Sequence, residues 1–272
     1  MKSKNSNGTG GLTQSVMRAL SILSCFNDQT PQLRMTDISQ RLNLTTSLVS
    51  RILATLEHDG FVEQDPASGM YHLGRAVLTL AGVALNHNQL RMEALTEMQD
   101  ASSELGLGVN LSVLDGDAMF YLAHIETPET PRPYTLIGRR NPLHATGMGK
   151  VLLAFLPENE QKAILKRLDL VPYSVHTRTN ADDLLKELAQ IRERGWGVEM
   201  EELALGRACI AGPIRDSSGT VVGALSFSGP LSQIQWDQRK EQLTKKIIEV
   251  CDRISMRLGY ISAPGMRREL QR

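Results

Sequence analysis

Three groups of residues in this sequence have types and spacings that could do chemistry. The first is His144-Ala-Thr-Gly-Met-Gly-Lys150, whose Gly-Lys ending invites a phosphate-loop reading. That loop needs Gly-x-x-x-x-Gly-Lys followed by Ser or Thr, because glycine amides cradle the phosphates and the hydroxyl holds magnesium. His144 stands where the first glycine is required, and Val151 replaces the hydroxyl residue, so the reading fails. What survives is a glycine-rich helix start, with the Gly147 and Met148 amides free to bind an anion such as a carboxylate. A plain helix start, with glycines that merely permit close packing, explains the same residues equally well.

The second group is Cys209 with His144, a pairing that suggests a thiolate nucleophile, and Glu199 could orient the imidazole. Against this, a cysteine inside an apolar strand such as Arg207–Ile214 is far more often an inert core residue. Catalysis is therefore the weaker expectation. The six histidines are isolated from one another and give no zinc or iron pattern. No cofactor is expected.

The third group carries the strongest signal. Met35-Thr-Asp-Ile-Ser-Gln-Arg-Leu-Asn-Leu-Thr-Thr-Ser-Leu-Val-Ser-Arg-Ile-Leu-Ala-Thr-Leu56 reads as a short helix capped by Thr36, a turn at Asn43-Leu44, and a helix starting near Thr45 or Thr46. Ile38, Leu42, Leu44, Val49, Ile52, Leu53 and Leu56 can share one core, which leaves Thr45, Thr46, Ser47, Ser50 and Arg51 on the opposite face. A recognition helix needs short hydrogen-bonding side chains at its N-terminal end and a cation within reach of phosphate or guanine. Thr36, at the head of the preceding helix, joins this candidate DNA-binding set.

The elements that must position these groups divide the chain in two. A helix from about Gln14 to Phe26 is expected, with Val16, Ala19, Leu20, Leu23 and Phe26 on its apolar face. After Gly60 the period changes: Phe61–Asp65 and Met70–Leu73 read as a hairpin, completing a winged helix-turn-helix over residues 13–74. A connecting helix, 75–89, leads to an α+β domain over 90–262. There Gly108–Leu114 and Ala118–Ile125 pair across Asp115-Gly116, and Tyr134–Gly138 is expected as a further strand. Helices are expected over Thr146–Phe155, Glu158–Leu168 with Pro157 in the first turn, a segment ending at Gly195, and Gln235–Leu258. Ser226 and Ser228, two apart on one strand, must share a face. Residues 1–12 and 263–272 read as tails.

Composition narrows the classes. The 272 residues are 41% apolar but only 4% aromatic, and 30 cations balance 30 anions, so no global charge marks a nucleic-acid binder. Between Thr13 and His72 four arginines (Arg18, Arg34, Arg41 and Arg51) face six carboxylates, a formal −2. Non-specific attraction to phosphate would need a positive domain. DNA binding would thus require the arginines to cluster on one face and copies to pair on a palindrome, hence an oligomer. Three scattered cysteines fit a reducing, cytoplasmic setting. No run approaches the ~18 apolar residues of a membrane span.

These motifs, in order along nearly the whole chain, resemble the IclR family of bacterial transcriptional regulators. The resemblance is carried by Ser15–Leu23, Leu53–Glu63, Pro142–Pro157, Gly206–Arg215 and Ala224–Pro230. It implies a winged helix, a linker helix and a GAF-like effector-binding domain with an antiparallel sheet flanked by helices, assembled as dimers or tetramers on operator DNA. It further implies that Glu199, Cys209, Ser226 and Ser228 match the polar positions that contact effector, with the effector's carboxylate on Gly147 and Met148. Glu199 departs from the shorter Asp common there, which shrinks the pocket or shifts the acceptor. The expectation is a repressor, not an enzyme, that responds to a small hydroxy- or keto-acid. A Cys-dependent hydrolase or amidase with an appended DNA-binding-like module is the alternative.

Overall fold

The structure, a computed structural model, describes residues 12–127 and 136–261. The expected tails therefore fall outside the described residues, apart from Leu12. The chain divides into two compact units, Met1–Asn86 and His87–Arg272.

The first unit packs α1 (Gln14–Leu23), α2 (Met35–Leu42) and α3 (Thr46–His58) on a three-stranded sheet. That sheet runs β1 (Gln32–Leu33), β3 (Tyr71–Leu73), β2 (Val62–Gln64), all antiparallel. Ile22, Ile38, Val49, Leu53 and Val62 are wholly buried and bring the three helices and the hairpin together. Each such side chain contributes roughly 1.5–3 kcal/mol on leaving water. Asn43 at φ 51° closes α2, and Gly60 at φ 73° turns the chain after α3. Last comes α4 (Arg75–Asn86).

Four expectations for this unit are corrected. Val16 and Leu20 are exposed on α1, and the buried residue of that helix is Ile22, one position outside the expected stripe. The helix also stops at Leu23 rather than Phe26. Thr36 does not cap α2: Arg34 holds the cap position, and Asp37 Oδ2 accepts its amide at 3.0 Å. Finally, the arginines are not all left uncommitted for phosphate. Arg41 Nη1 donates to Cys25 O at 3.2 Å and Thr30 Oγ1 at 3.1 Å, which staples the α1–β1 loop.

The second unit is a six-stranded antiparallel sheet between two helical layers. Its strands are β4 (Gly108–Asp115), β5 (Ala118–Ile125), β6 (Arg140–Pro142), β7 (Gly197–Met200), β8 (Arg207–Arg215) and β9 (Val221–Pro230), in the order β6-β5-β4-β9-β8-β7. One face packs on α5 (Gln89–Leu105) and α10 (Trp236–Arg257) through Val109, Leu111, Ile210, Leu225 and Phe227. The other faces α6 (Gly147–Ala154) and α8 (Ala181–Arg194), with α7 (Glu158–Leu165) beyond and α9 (Leu231–Ile234) leading into α10. Alternation in Leu225-Ser-Phe-Ser228 sends leucine and phenylalanine to the first face and both serines to the second.

The strand expected at Tyr134–Gly138 is not formed where the chain is described. Tyr134 and Thr135 lie outside the described residues, and Leu136–Arg139 is a turn with Gly138 at φ 86°. The edge strand follows it, at Arg140–Pro142. Pro157 is the N-cap of α7 rather than a residue of its first turn. No helix among the described residues is long and apolar enough to cross a membrane.

Candidate functional site

Two regions answer to the residues singled out above. On the first unit, Thr36, Thr45, Thr46, Ser47, Ser50 and Arg51 are all exposed, because Val49, Leu53 and Leu56 turn the other side of α3 into the core. Thr45 is the N-cap of α3 in backbone conformation, yet its side chain makes no cap bond. Arg51 carries no ion pair among the described residues, whereas Arg75 lies 3.7 Å from Glu63 and Arg34 Nη1 donates to Ser68 O in the wing turn. A helix start with unused hydroxyls, free amides and one uncommitted guanidinium is what a groove-reading surface requires.

The second region is a cavity of about 430 Å³ between the sheet and α6. Strand register builds its floor. Glu199, Cys209, Ser228 and Gly108 form one cross-strand row over β7, β8, β9 and β4. Ala211, Ser226, Asn110 and His124 form the next, over β8, β9, β4 and β5. Gly147 and Met148, at the start of α6, close the cavity from above. The structure thus gathers all six residues expected at an effector site into one pocket lining.

The helix start is packed as tightly as its glycines imply. A Cβ on Gly147 would lie 2.8 Å from Cys209 Sγ, and one on Gly149 would lie 2.4 Å from Leu143 O. Thr146 caps the helix, its Oγ1 accepting from Gly149 N at 3.1 Å. The Gly147 amide donates to the Cys209 sulfur. Met148, at the second helical position, has no acceptor within the helix for its amide.

Glu199 is 6% exposed and holds the rim loop that follows β7. Its Oε1 accepts from Glu202 N at 2.6 Å and Leu203 N at 3.1 Å. Burial pushes its carboxyl above the usual range, and the neighbouring Glu202 adds to this, against the two amides and the charge of Lys150. Burial likewise drives the Cys209 thiol far up, and that thiol donates to Glu199. His144 is not among the lining residues, and its Nε2 meets Val171 O at 3.0 Å. A raised thiol without an imidazole is a poor nucleophile.

Residues that sequence reasoning passed over also matter. Asn110 bridges Ser226 and Ser228 at 3.2 and 3.0 Å, and is bonded in turn to His124. Tyr121, Arg139 and Arg207 complete the wall. Lys150, wholly buried, pairs with Glu202 at 2.6 Å behind the helix start. No group of three or more metal-ligating side chains that could hold an ion occurs among the described residues.

Both regions fall within stretches of the chain that match known domains. Residues 15–66 match the IclR helix-turn-helix domain, and residues 82–256 match the bacterial transcriptional regulator IclR C-terminal domain. The transcriptional regulator XynR of Escherichia coli is 33% identical over 92% of this chain and 98% of its own. An IclR transcriptional regulator from Alicyclobacillus acidocaldarius superposes with a TM-score of 0.81 at 27% identity, over 91% of this chain and all of that one. An IclR homologue from Microbacterium hydrocarbonoxydans, solved with 4-hydroxybenzoate, shares the fold with a TM-score of 0.79 at 24% identity, over 90% of this chain and 98% of its own. With a DNA-reading winged helix, an effector-type pocket and both domain matches in the right order, the chain belongs to the IclR family of bacterial transcriptional regulators.

Proposed function

We propose that this protein is a cytoplasmic repressor whose grip on operator DNA changes when a small organic acid enters the cavity of its second unit. The observation that carries the reading is the pair of polar rows beneath the α6 helix start. Serine hydroxyls, an asparagine amide and a first-turn backbone amide converge on a partly open cavity of about 430 Å³. That volume suits a small molecule, and the polar groups suit a carboxylate with a further oxygen. The 4-hydroxybenzoate held by the Microbacterium protein is such an acid. Glu199 lines the same cavity and can share a hydrogen with a ligand hydroxyl.

On the DNA side, Thr45, Thr46, Ser47, Ser50 and Arg51 enter the major groove, and Thr36 approaches the backbone at the head of α2. Linker duty falls to residues 75–89. The modest charge of the first unit makes two copies on a palindrome the working assembly, as a dimer or tetramer. Exposed Val16, Met17 and Leu20 on α1, and Leu78 and Leu80 on α4, supply apolar surface for that pairing. No catalytic role is assigned to Cys209, whose thiol is held protonated by burial.

Fluorescence anisotropy on the DNA upstream of its own gene, across a salt series and with a panel of small acids, tests the whole reading. Salt-sensitive, sequence-dependent binding that an acid weakens is the expected result. Binding that ignores sequence, or that no acid alters, overturns it.

A further inference from the structure

A line of polar side chains leads out of the pocket floor along the sheet. Asn110 Nδ2 lies 3.2 Å from Ser226 Oγ and 3.0 Å from Ser228 Oγ. On the other side Asn110 Oδ1 lies 2.7 Å from His124 Nδ1, and His124 Nε2 lies 2.6 Å from Glu126 Oε2. Asn110 and Ser226 are almost wholly buried, and the His124 side chain is 6% exposed, so water does not readily replace these partners. Among the described residues, Glu126 is the only charged group that meets the ring. The other titratable or charged groups lining this face are Tyr121 on β5, Glu199 on β7, Cys209 and Arg207 on β8, and Arg139 ahead of β6.

Hydrogen counting restricts how this line can be occupied. A carboxamide oxygen only accepts, and its NH2 only donates. With Nδ2 towards the serines, Nδ1 of His124 must carry the hydrogen that Oδ1 receives. The contact between Nε2 and Glu126 then holds one more proton, on one partner or the other. Both serine oxygens already accept from Asn110, so their own hydrogens are free to point into the pocket as donors. With the amide turned over, both contacts of Asn110 reverse. Oδ1 takes the serine hydrogens, Nδ2 donates to a bare Nδ1, and Nε2 keeps its hydrogen for the Glu126 carboxylate. The second arrangement holds one proton fewer than the first, and it offers the pocket serine lone pairs instead of serine hydrogens.

We propose that Asn110 is a specificity-determining residue: its amide, turned by the proton content of the His124–Glu126 pair, makes Ser226 and Ser228 donors to an anionic ligand or acceptors for a neutral one. The ligand class follows from the arrangement. A carboxylate selects the proton-rich state and is bound together with one proton, while an amide or alcohol is accepted by the other. This deepens the small-acid reading of the pocket and rests on it for the ligand, but the turning of the amide can be measured without any ligand.

Nitrogen-15 histidine NMR on the full-length protein, followed over a pH series, makes that measurement. The His124 signals are identified by their loss in H124Q or, should that variant not fold, by single substitution of the other five histidines. In the wild type, deprotonation should strip the hydrogen from Nδ1 and leave Nε2 protonated. In N110D, whose ionised carboxylate only accepts, Nδ1 should keep its hydrogen throughout. A wild-type Nδ1 that stays protonated on both sides of the step overturns the proposal. Benzoate and benzamide serve as ligand probes of matched size. Benzoate affinity should fall about tenfold for each pH unit above that step while benzamide affinity stays level, and N110D should abolish the difference. Benzoate binding with no such pH dependence also overturns the proposal. If neither probe binds while Nδ1 behaves as expected, the fault lies with the small-acid reading, and the amide mechanism stands on the NMR result.

Discussion

Lys150 Nζ sits 2.6 Å from Glu202 Oε1 with its side chain wholly buried, tying helix α6 to the loop that forms the pocket rim. Glu187 approaches the same ammonium at 3.8 Å and is itself held by Arg178 at 2.9 Å and Arg194 at 3.3 Å. Among the described residues Glu202 has no comparable second cation, and its Oε2 has no hydrogen-bond partner. The pair therefore links the roof of the pocket to its rim through a single buried contact.

Removing one partner of a buried pair strands the other charge. K150M should cost roughly 3–5 kcal/mol in urea unfolding, because Glu202 is left ionised and unpaired in the interior. K150M with E202L replaces both charges by apolar groups and should recover most of that loss. A single K150M variant as stable as the wild type would show that the pair contributes nothing to the fold.

The packing of Gly147 against Cys209 makes a second prediction. A Cβ at Gly147 would come within 2.8 Å of Cys209 Sγ, while the next neighbours, Ala211 Cβ at 3.5 Å and Cys209 O at 3.7 Å, are at ordinary contact distance. G147A should therefore destabilise by about 1–3 kcal/mol through overpacking, and C209A in the same chain should relieve it. If the double variant is no better than G147A alone, the sulfur is not the obstacle.

Glu199 gives the pH dependence. Its carboxyl is raised in the folded protein, so the native state holds a proton that the unfolded chain has lost. The resulting stabilisation is fully present below the ordinary carboxylate range and is lost as pH rises through the elevated folded value. E199Q imitates the protonated form and keeps an oxygen for the Glu202 and Leu203 amides. Thermal melts from pH 4 to pH 8 should show the wild type losing ground to E199Q with rising pH. Parallel curves would mean that Glu199 ionises as it does in water.

Much of this architecture was legible in the sequence, and the reasons are local. The winged helix followed from helical periodicity closed by Asn43 and Gly60, both of which adopt positive φ. The β4–β5 hairpin followed from Asp115-Gly116, and the pocket face of β9 from the Leu-Ser-Phe-Ser alternation. What was hidden is non-local. Asn110 lies 116 residues from Ser226 and meets it only through strand register. His124 reads as one more isolated histidine until β4 and β5 are paired. The lysine of Gly-Met-Gly-Lys invites a phosphate-loop reading, and nothing nearby in sequence announces its partner Glu202. On α1 the helical period was right but its phase was not: Val16 and Leu20 fit an apolar stripe as well as Ile22 does, and only the packing of α2 and α3 chooses between them.

The cysteines separate the regulator from the hydrolase alternative. Burial raises the thiols of Cys25, Cys209 and Cys251, with Cys209 and Cys251 the most strongly shifted. Since the thiolate is the reactive species, iodoacetamide near neutral pH should label the native protein slowly at all three and rapidly only after unfolding. One fast equivalent on Cys209 would restore the nucleophile reading.

Arg51 provides the closing test on DNA. It stands on the exposed side of α3, one turn past the hydroxyl cluster, with no carboxylate engaged among the described residues. R51A should leave the fold intact, because Thr55 takes only the backbone oxygen of Arg51 at 3.0 Å and the side chain packs on nothing in the core. If Arg51 reads a base edge, R51A weakens operator binding by about 1–3 kcal/mol and relaxes specificity at one position. If it meets a phosphate instead, binding weakens to all sequences alike and the salt dependence drops by about one counterion. Anisotropy titrations against the operator and a scrambled duplex at three salt concentrations separate the two outcomes. An unchanged affinity for both duplexes removes Arg51 from the interface.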